Sequence, residues 1–217
     1  MIYLLLYYTY FASLAFATAC SIYRFKLLDS GSKVISILVC CALINEGVAY
    51  YFAKKFHNNL PVYSIYCLLE YGLLCLYFNN IIDVFIKKNI GMYIGLTGIL
   101  LGLLNLTFLQ HWNSYNSNFL FLEDLAVIGM SLFAFFRLLL KHDALNLFKY
   151  HHFWFICILI FFWSITFLNW GLYNYFNLKL QHAAWKINFG ITVVGVITYL
   201  SLGCVFLLYP KIQSKNG

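Results

Sequence analysis

Charge is what this chain has least of: Asp, Glu, Lys and Arg together make only 10% of 217 residues, with seven acids among them. A soluble domain of this size cannot keep its surface wet with so few charges, so lipid is the expected solvent. Catalytic signatures are missing too. There is no Ser-His-Asp spacing, no H-E-x-x-H run and no glycine-rich phosphate loop. The seven cysteines (Cys20, Cys40, Cys41, Cys67, Cys75, Cys157, Cys204) offer no metal-ligand spacing beyond the adjacent Cys40 and Cys41, and their count is odd. They read as small buried hydrophobes rather than disulfides or a zinc site. No positive charge precedes the first apolar run, since Arg24 and Lys26 follow it. Cys20 is therefore not read as a lipoprotein cleavage site, and residues 2–22 are expected to be a retained span.

The chain does have apolar length: 63% of it is hydrophobic and 21% aromatic. Seven runs stand out, at 2–22, 34–53, 60–78, 90–109, 119–140, 152–170 and 184–209. Each is close to or above the length that crosses about 30 Å of hydrocarbon at about 1.5 Å per residue. None shows period-2 alternation, so helices are expected rather than strands. The fold class is all-α, a polytopic membrane protein of seven transmembrane helices forming one domain over residues 1–217.

The formal charge of +7 does not point to nucleic acid, because the basic residues sit singly or in pairs at the ends of the apolar runs. Counted on alternate sides, Arg24, Lys26, Lys33, Lys87, Lys88, Arg137, Lys141, Lys149, Lys211 and Lys215 fall on one side, and Lys54, Lys55, Lys179 and Lys186 on the other. The positive-inside rule then puts the N-terminus outside and the C-terminus in the cytoplasm. Membrane lipids are the expected partners of the chain; the topology rule already accounts for the inner basic residues, which could otherwise touch anionic headgroups. Tyr7, Tyr8, Tyr50, Tyr51, Trp112, Trp170, Tyr173, Tyr175 and Trp185 form an expected outer aromatic belt. Asn59 and Pro61 suit the start of the third helix, and Pro210 is expected to stop the seventh.

Residues 44–52 align without gaps with residues 168–176, sharing Asn, Gly, Tyr and Phe. Two readings stand: a parallel duplication of three helices about a linking fourth, or helix ends that look alike because they meet the same interface. The first arrangement resembles the three-one-three plan of sugar-transporting SWEET proteins and related vitamin transporters. That likeness is architectural, since their Pro-Gln pair does not occur here. The fourth span carries Gly91, Gly95, Gly98 and Gly102 on one face. Such a stripe lets another backbone come close, either within the bundle or across a homodimer seam.

Two acids lie deep inside apolar runs. Glu46 is eight residues from Lys54 and Glu70 is ten from Leu60, which puts both about 12–15 Å below the outer boundary. The 3.6 periodicity groups Ala42, Asn45, Glu46, Ala49 and Ala53 on one face of span two, and Tyr63, Tyr66, Cys67 and Glu70 on one face of span three. Carboxylates are rare in hydrocarbon and mark functional sites when they occur there. The alternative is a hydrogen-bond network that only pins helices together. Nearer the outside, Glu123 and Asp124 on span five, Asn169 and Trp170 on span six, and Trp185, Lys186 and Asn188 on span seven would wall a vestibule. Lys186 either pairs with a span-five acid or snorkels to the headgroups.

These residues predict a pocket that opens outward and takes a small molecule or proton-coupled cargo. The histidines are assigned to loops, His57, His111 and His182 outside and His142, His151 and His152 inside, so neither a haem nor a metal site is expected. No cofactor is expected. Three functional classes remain: a small transporter or ligand-binding protein, a lipid-modifying intramembrane enzyme, and a sensory or structural subunit needing a partner. The first is preferred, because no histidine cluster or nucleophile supports the second and no output domain supports the third. The opening Asn59, Pro61, Tyr63 of a helix that carries Glu70 resembles small seven-span bacterial membrane proteins. That resemblance covers about one span, implies a bacterial cytoplasmic membrane, and brings no activity with it.

Overall fold

In hydrocarbon a backbone has no hydrogen-bond partner but itself, so long apolar runs fold as helices. A computed structural model describes residues 2–114, 116–141, 147–171 and 181–213 of the chain. Within those stretches the side chains of residues 2–4, 141, 168, 170–171, 181–188 and 210–213 lie outside the description. The helices are α1 (Ile2–Arg24), α2 (Ser30–Phe56), α3 (Leu60–Ile81), α4 (Asp83–Lys88), α5 (Ile90–Leu104), α6 (Ser117–Lys141), α7 (His151–Gly171) and α8 (Gln181–Gln213). A 3₁₀ turn, Phe25–Leu27, follows α1, and a π-helical turn, Asn105–Leu109, ends α5. No strand occurs among the described residues.

Six of these helices are long and apolar enough to cross a membrane, which is the make-up of a multi-pass membrane protein. The expected span at 152–170 corresponds to α7, whose described apolar stretch, His151–Phe167, is shorter than the other six.

Helix ends follow local chemistry, with three departures from expectation. Asn59 sits at the N-cap of α3 but makes no capping bond. Its neighbour Asn58 caps instead, its Oδ1 accepting from the Leu60 N–H at 3.0 Å. Pro210 does not stop α8, which runs on to Gln213. A proline costs a helix one hydrogen bond and a steric adjustment, and this near a helix end both are tolerated. The short α4 had no signal of its own. It turns into α5 through Asn89, held at φ 52°, a left-handed conformation that Asn tolerates better than most residues.

Six helices close a ring: α1 packs on α2 and α8, α2 on α3, α3 on α6, α6 on α7, and α7 on α8. The glycine-rich α5 stands outside that ring against α3. A Cβ on Gly91 would come within 2.7 Å of the Cys75 carbonyl oxygen and of Asn79 Cβ. At Gly98 it would meet the ring of Tyr71, and at Gly102 Leu68 and Phe119. The Gly91 N–H donates to Asn79 Oδ1 at 3.1 Å and Tyr71 Oη donates to the Ile94 carbonyl at 3.2 Å. All four glycines of the stripe are buried in this contact. The close approach is thus made within the chain.

Candidate functional site

The ring encloses a cavity of about 380 Å³. Its wall takes Tyr7 and Tyr10 from α1, Ala42, Asn45 and Glu46 from α2, and Tyr63, Ser64, Tyr66, Cys67 and Glu70 from α3. Leu120, Glu123 and Asp124 come from α6, Phe162, Trp163 and Thr166 from α7, and Ile191, Thr192, Gly195 and Tyr199 from α8. Leu60, Ser114 and Asn116 extend it to the end of the bundle where Asn58 and Asn113 bond across two connections. Helix α5 contributes nothing to the wall.

The periodicity of α2 and α3 explains much of this. Residues at i, i+3, i+4 and i+7 share a face, so Ala42, Asn45 and Glu46 turn inward together, as do Tyr63, Tyr66, Cys67 and Glu70. Glu46 accepts two phenol hydrogen bonds, from Tyr10 to Oε1 at 3.2 Å and from Tyr63 to Oε2 at 3.1 Å. Three helices are thereby tied to one carboxylate. Tyr66 donates to Glu70 Oε1 at 3.4 Å, and the single Thr166 hydroxyl proton is shared between Asp124 Oδ1, at 3.5 Å, and the Phe162 carbonyl, at 3.0 Å. Tyr199 packs edge-on against Tyr10 with ring centroids 5.6 Å apart.

Glu123 differs from its neighbours. It is 1% exposed, and neither of its carboxylate oxygens has a hydrogen-bond partner among the described residues. Asp124, 2% exposed, leaves Oδ2 equally bare. Among the described lining residues there is no Lys, Arg or His. Four of the seven acids in the sequence therefore share one space with no described cation.

Of the residues singled out from sequence, Glu46, Glu70, Asn45, Tyr63, Tyr66, Glu123 and Asp124 are brought together here. Asn169 is buried, with no partner to Nδ2 among the described residues, and is not among the described wall residues. The side chains of Trp170, Lys186 and Asn188 lie outside the described residues, and so does most of the segment aligned with residues 44–52. Sequence reasoning did not single out Tyr10, Trp163, Thr166 and Tyr199 as wall residues. Their helices are hydrophobic on every side, so no face stood out.

The assignment of His151 and His152 to a loop is corrected. They open α7 and are buried, at 6% and 2% exposure. Both face Asp29, the N-cap of α2, whose Oδ2 lies 2.7 Å from His152 Nε2 and 3.3 Å from His151 Nε2. Burial works to raise the Asp29 carboxyl, but the bonds from His151, His152 and Ser32 outweigh it and hold the group well below the usual carboxylate range. A second cavity, about 460 Å³, adjoins this cluster and is lined also by Asn80, Asp83, Arg137 and Tyr150.

No family model, curated protein or solved structure matches the chain.

Proposed function

We propose that this chain is a small transporter or ligand-binding protein of the membrane, and that its ring cavity takes a small organic cation. One observation carries this reading: the buried Glu123 carboxylate lines the cavity with no donor to either oxygen among the described residues. A carboxylate removed from water is costly unless something replaces the water, and a bound cation does so. The rest of the wall suits the same guest. Tyr7, Tyr10, Tyr63, Tyr66, Tyr199, Phe162 and Trp163 surround the acids, and aromatic faces attract alkylammonium groups. The volume lies within the range of small-molecule sites.

The excess of Lys and Arg around the Asp29 end supports reading the cavity as open to the outer side of a bacterial cytoplasmic membrane, with the N-terminus outside. A closed helix order of α1, α2, α3, α6, α7 and α8, with α5 outside it, supports reading the two triplets as a duplicated unit. A purely structural role is the rival, and the phenols that tie three helices to Glu46 are what favour it.

Choline and its uncharged carbon isostere separate the two. Purified protein in lipid nanodiscs is titrated with each while tryptophan fluorescence is followed, Trp163 being in the wall. Saturable quenching by choline alone is expected, weakened about 10- to 100-fold in Glu123→Gln. Equal responses to both compounds, or none, with the variant as well folded as the parent, would leave the structural role standing. Release of product from phospholipid by the purified protein, lost in Glu70→Gln, would instead favour a lipid-modifying enzyme.

A further inference from the structure

The Asp29 end carries a second arrangement, independent of the cavity. Residues one apart on a helix point about 100° away from each other and do not normally meet a common partner. His151 and His152 nevertheless bring both Nε2 atoms to one oxygen, Asp29 Oδ2, with ring centroids 4.1 Å apart. These three atoms, two imidazole nitrogens and one carboxylate oxygen, all lie within 4.8 Å of one another.

The surroundings hold each group in place. Asp29 Oδ1 accepts from the Ser32 N–H at 2.8 Å, and the Asp29 N–H donates to Tyr209 Oη at 3.0 Å, so Oδ2 is left for the histidines. His152 Nδ1 lies 3.4 Å from Tyr77 Oη, and the Tyr209 ring packs at a tilt against His151 with centroids 4.5 Å apart. Gly31 allows the crowding, since a Cβ there would lie 3.0 Å from His152 Cε1.

We infer that Asp29, His151 and His152 form a three-ligand site for a divalent transition metal ion of the zinc class. Two imidazoles and a carboxylate are a donor set such ions favour. Ligand bonds of about 2.0–2.2 Å at tetrahedral angles put ligand atoms about 3.4 Å apart. The His151–Asp29 pair already has that separation, at 3.3 Å. The His152–Asp29 pair, at 2.7 Å, opens by about 0.7 Å. The proton inventory is consistent. With the ion bound, both Nε2 atoms are unprotonated, and the His152 proton sits on Nδ1 and is donated to Tyr77 Oη, an outer partner that fixes the ring. Without it, His152 Nε2–H donates to Asp29 and the Tyr77 hydroxyl donates to Nδ1. The adjoining cavity, with Asp29 and His152 in its wall, leaves room for water or another exogenous ligand at a fourth position.

Cobalt(II) is the probe. Protein stripped with a chelator in nanodiscs is titrated with Co²⁺, and its visible d–d bands, stoichiometry and displacement by Zn²⁺ are recorded. One ion per chain with four- or five-coordinate bands, displaced by Zn²⁺, is expected. Asn caps a helix as well as Asp, so Asp29→Asn keeps the helix start while removing the anionic ligand. That variant and His151→Gln should each weaken Co²⁺ by more than about 100-fold, and Tyr77→Phe, which touches only the outer nitrogen, by about tenfold. Near-UV circular dichroism checks that each variant is folded. The inference is overturned by parent protein without d–d bands, which would leave a hydrogen-bonded cap only. Bands that persist undiminished in both Asp29→Asn and His151→Gln overturn it equally, because the ion then sits on other histidines.

Discussion

The two ends of the bundle treat their carboxylates in opposite ways. At Asp29 both oxygens are served: Ser32 donates to one, and His151 and His152 face the other. In the ring cavity, among the described residues, Glu46 has two phenols, Glu70 has one, Asp124 shares the Thr166 hydroxyl with a backbone carbonyl, and Glu123 has no donor. A polar group taken from water has to find a replacement, and leaving it bare costs about 1–3 kcal/mol, more when it is charged. At one end the fold supplies the replacement itself. At the other it leaves the place open, which is what a site for a removable guest requires.

Substitutions of the served Asp29 and of the bare Glu123 should accordingly shift stability in opposite directions, and the largest effect belongs to Asp29. Asp29→Ala removes the cap of α2 and strands two buried imidazoles, for a loss of about 2–4 kcal/mol in unfolding free energy. Titration with SDS in mixed micelles reads this directly. A loss below about 0.5 kcal/mol, no more than an ordinary surface substitution, would mean that the cluster holds nothing together.

Glu123→Gln should move the other way. Replacing a bare buried carboxylate by a neutral amide of similar shape stabilises the unliganded protein by about 1–2 kcal/mol, while choline binding falls. That inverse relation is the sharpest form of the contrast between the ends. Loss of stability in this variant would reveal a donor to Glu123 and remove the contrast.

How much of this was legible in the sequence differs by region for physical reasons. Hydrocarbon length is a strong one-dimensional signal, so the helices of residues 2–22, 34–53 and 60–78 fall within a few residues of α1, α2 and α3. The inward faces of α2 and α3 were also readable, because Asn45, Glu46, Tyr63, Tyr66 and Glu70 recur at helical spacing among aliphatic neighbours. What periodicity cannot carry is the ring order, which brings Tyr10 on α1 to Glu46 on α2 and Thr166 on α7 to Asp124 on α6. The Asp29 cluster was harder still. Asp29 and His151 are more than a hundred residues apart, and a histidine at the end of an apolar run looks the same whether it is solvated or folded inward.

Within the cavity itself the effects are smaller. Glu46→Gln exchanges one acceptor for an amide donor facing a phenol, and Tyr63→Phe removes one of the two donors to that carboxylate. Each should cost about 1 kcal/mol, with thermal unfolding in a single detergent as the measurement. The two losses should not add in the double variant, because the groups share a bond. Additivity would mean that the 3.1 Å contact between Tyr63 and Glu46 contributes nothing.

Tyr66→Phe should have the least effect on stability, and its value lies in that. Its bond to Glu70 is the longer one, at 3.4 Å against 3.1 Å for Tyr63 on Glu46, and hydrogen bonds weaken toward that distance. A loss of about 0.5 kcal/mol or less is expected. If the cavity takes a cation, removing this phenol frees Glu70 to turn fully toward the guest, so choline affinity should hold or rise slightly. If the carboxylates only fasten helices, the same change removes the one described donor to Glu70, and the protein should lose stability without any gain in binding. Measuring both quantities on one variant thus separates a carboxylate kept for a ligand from one kept for the fold.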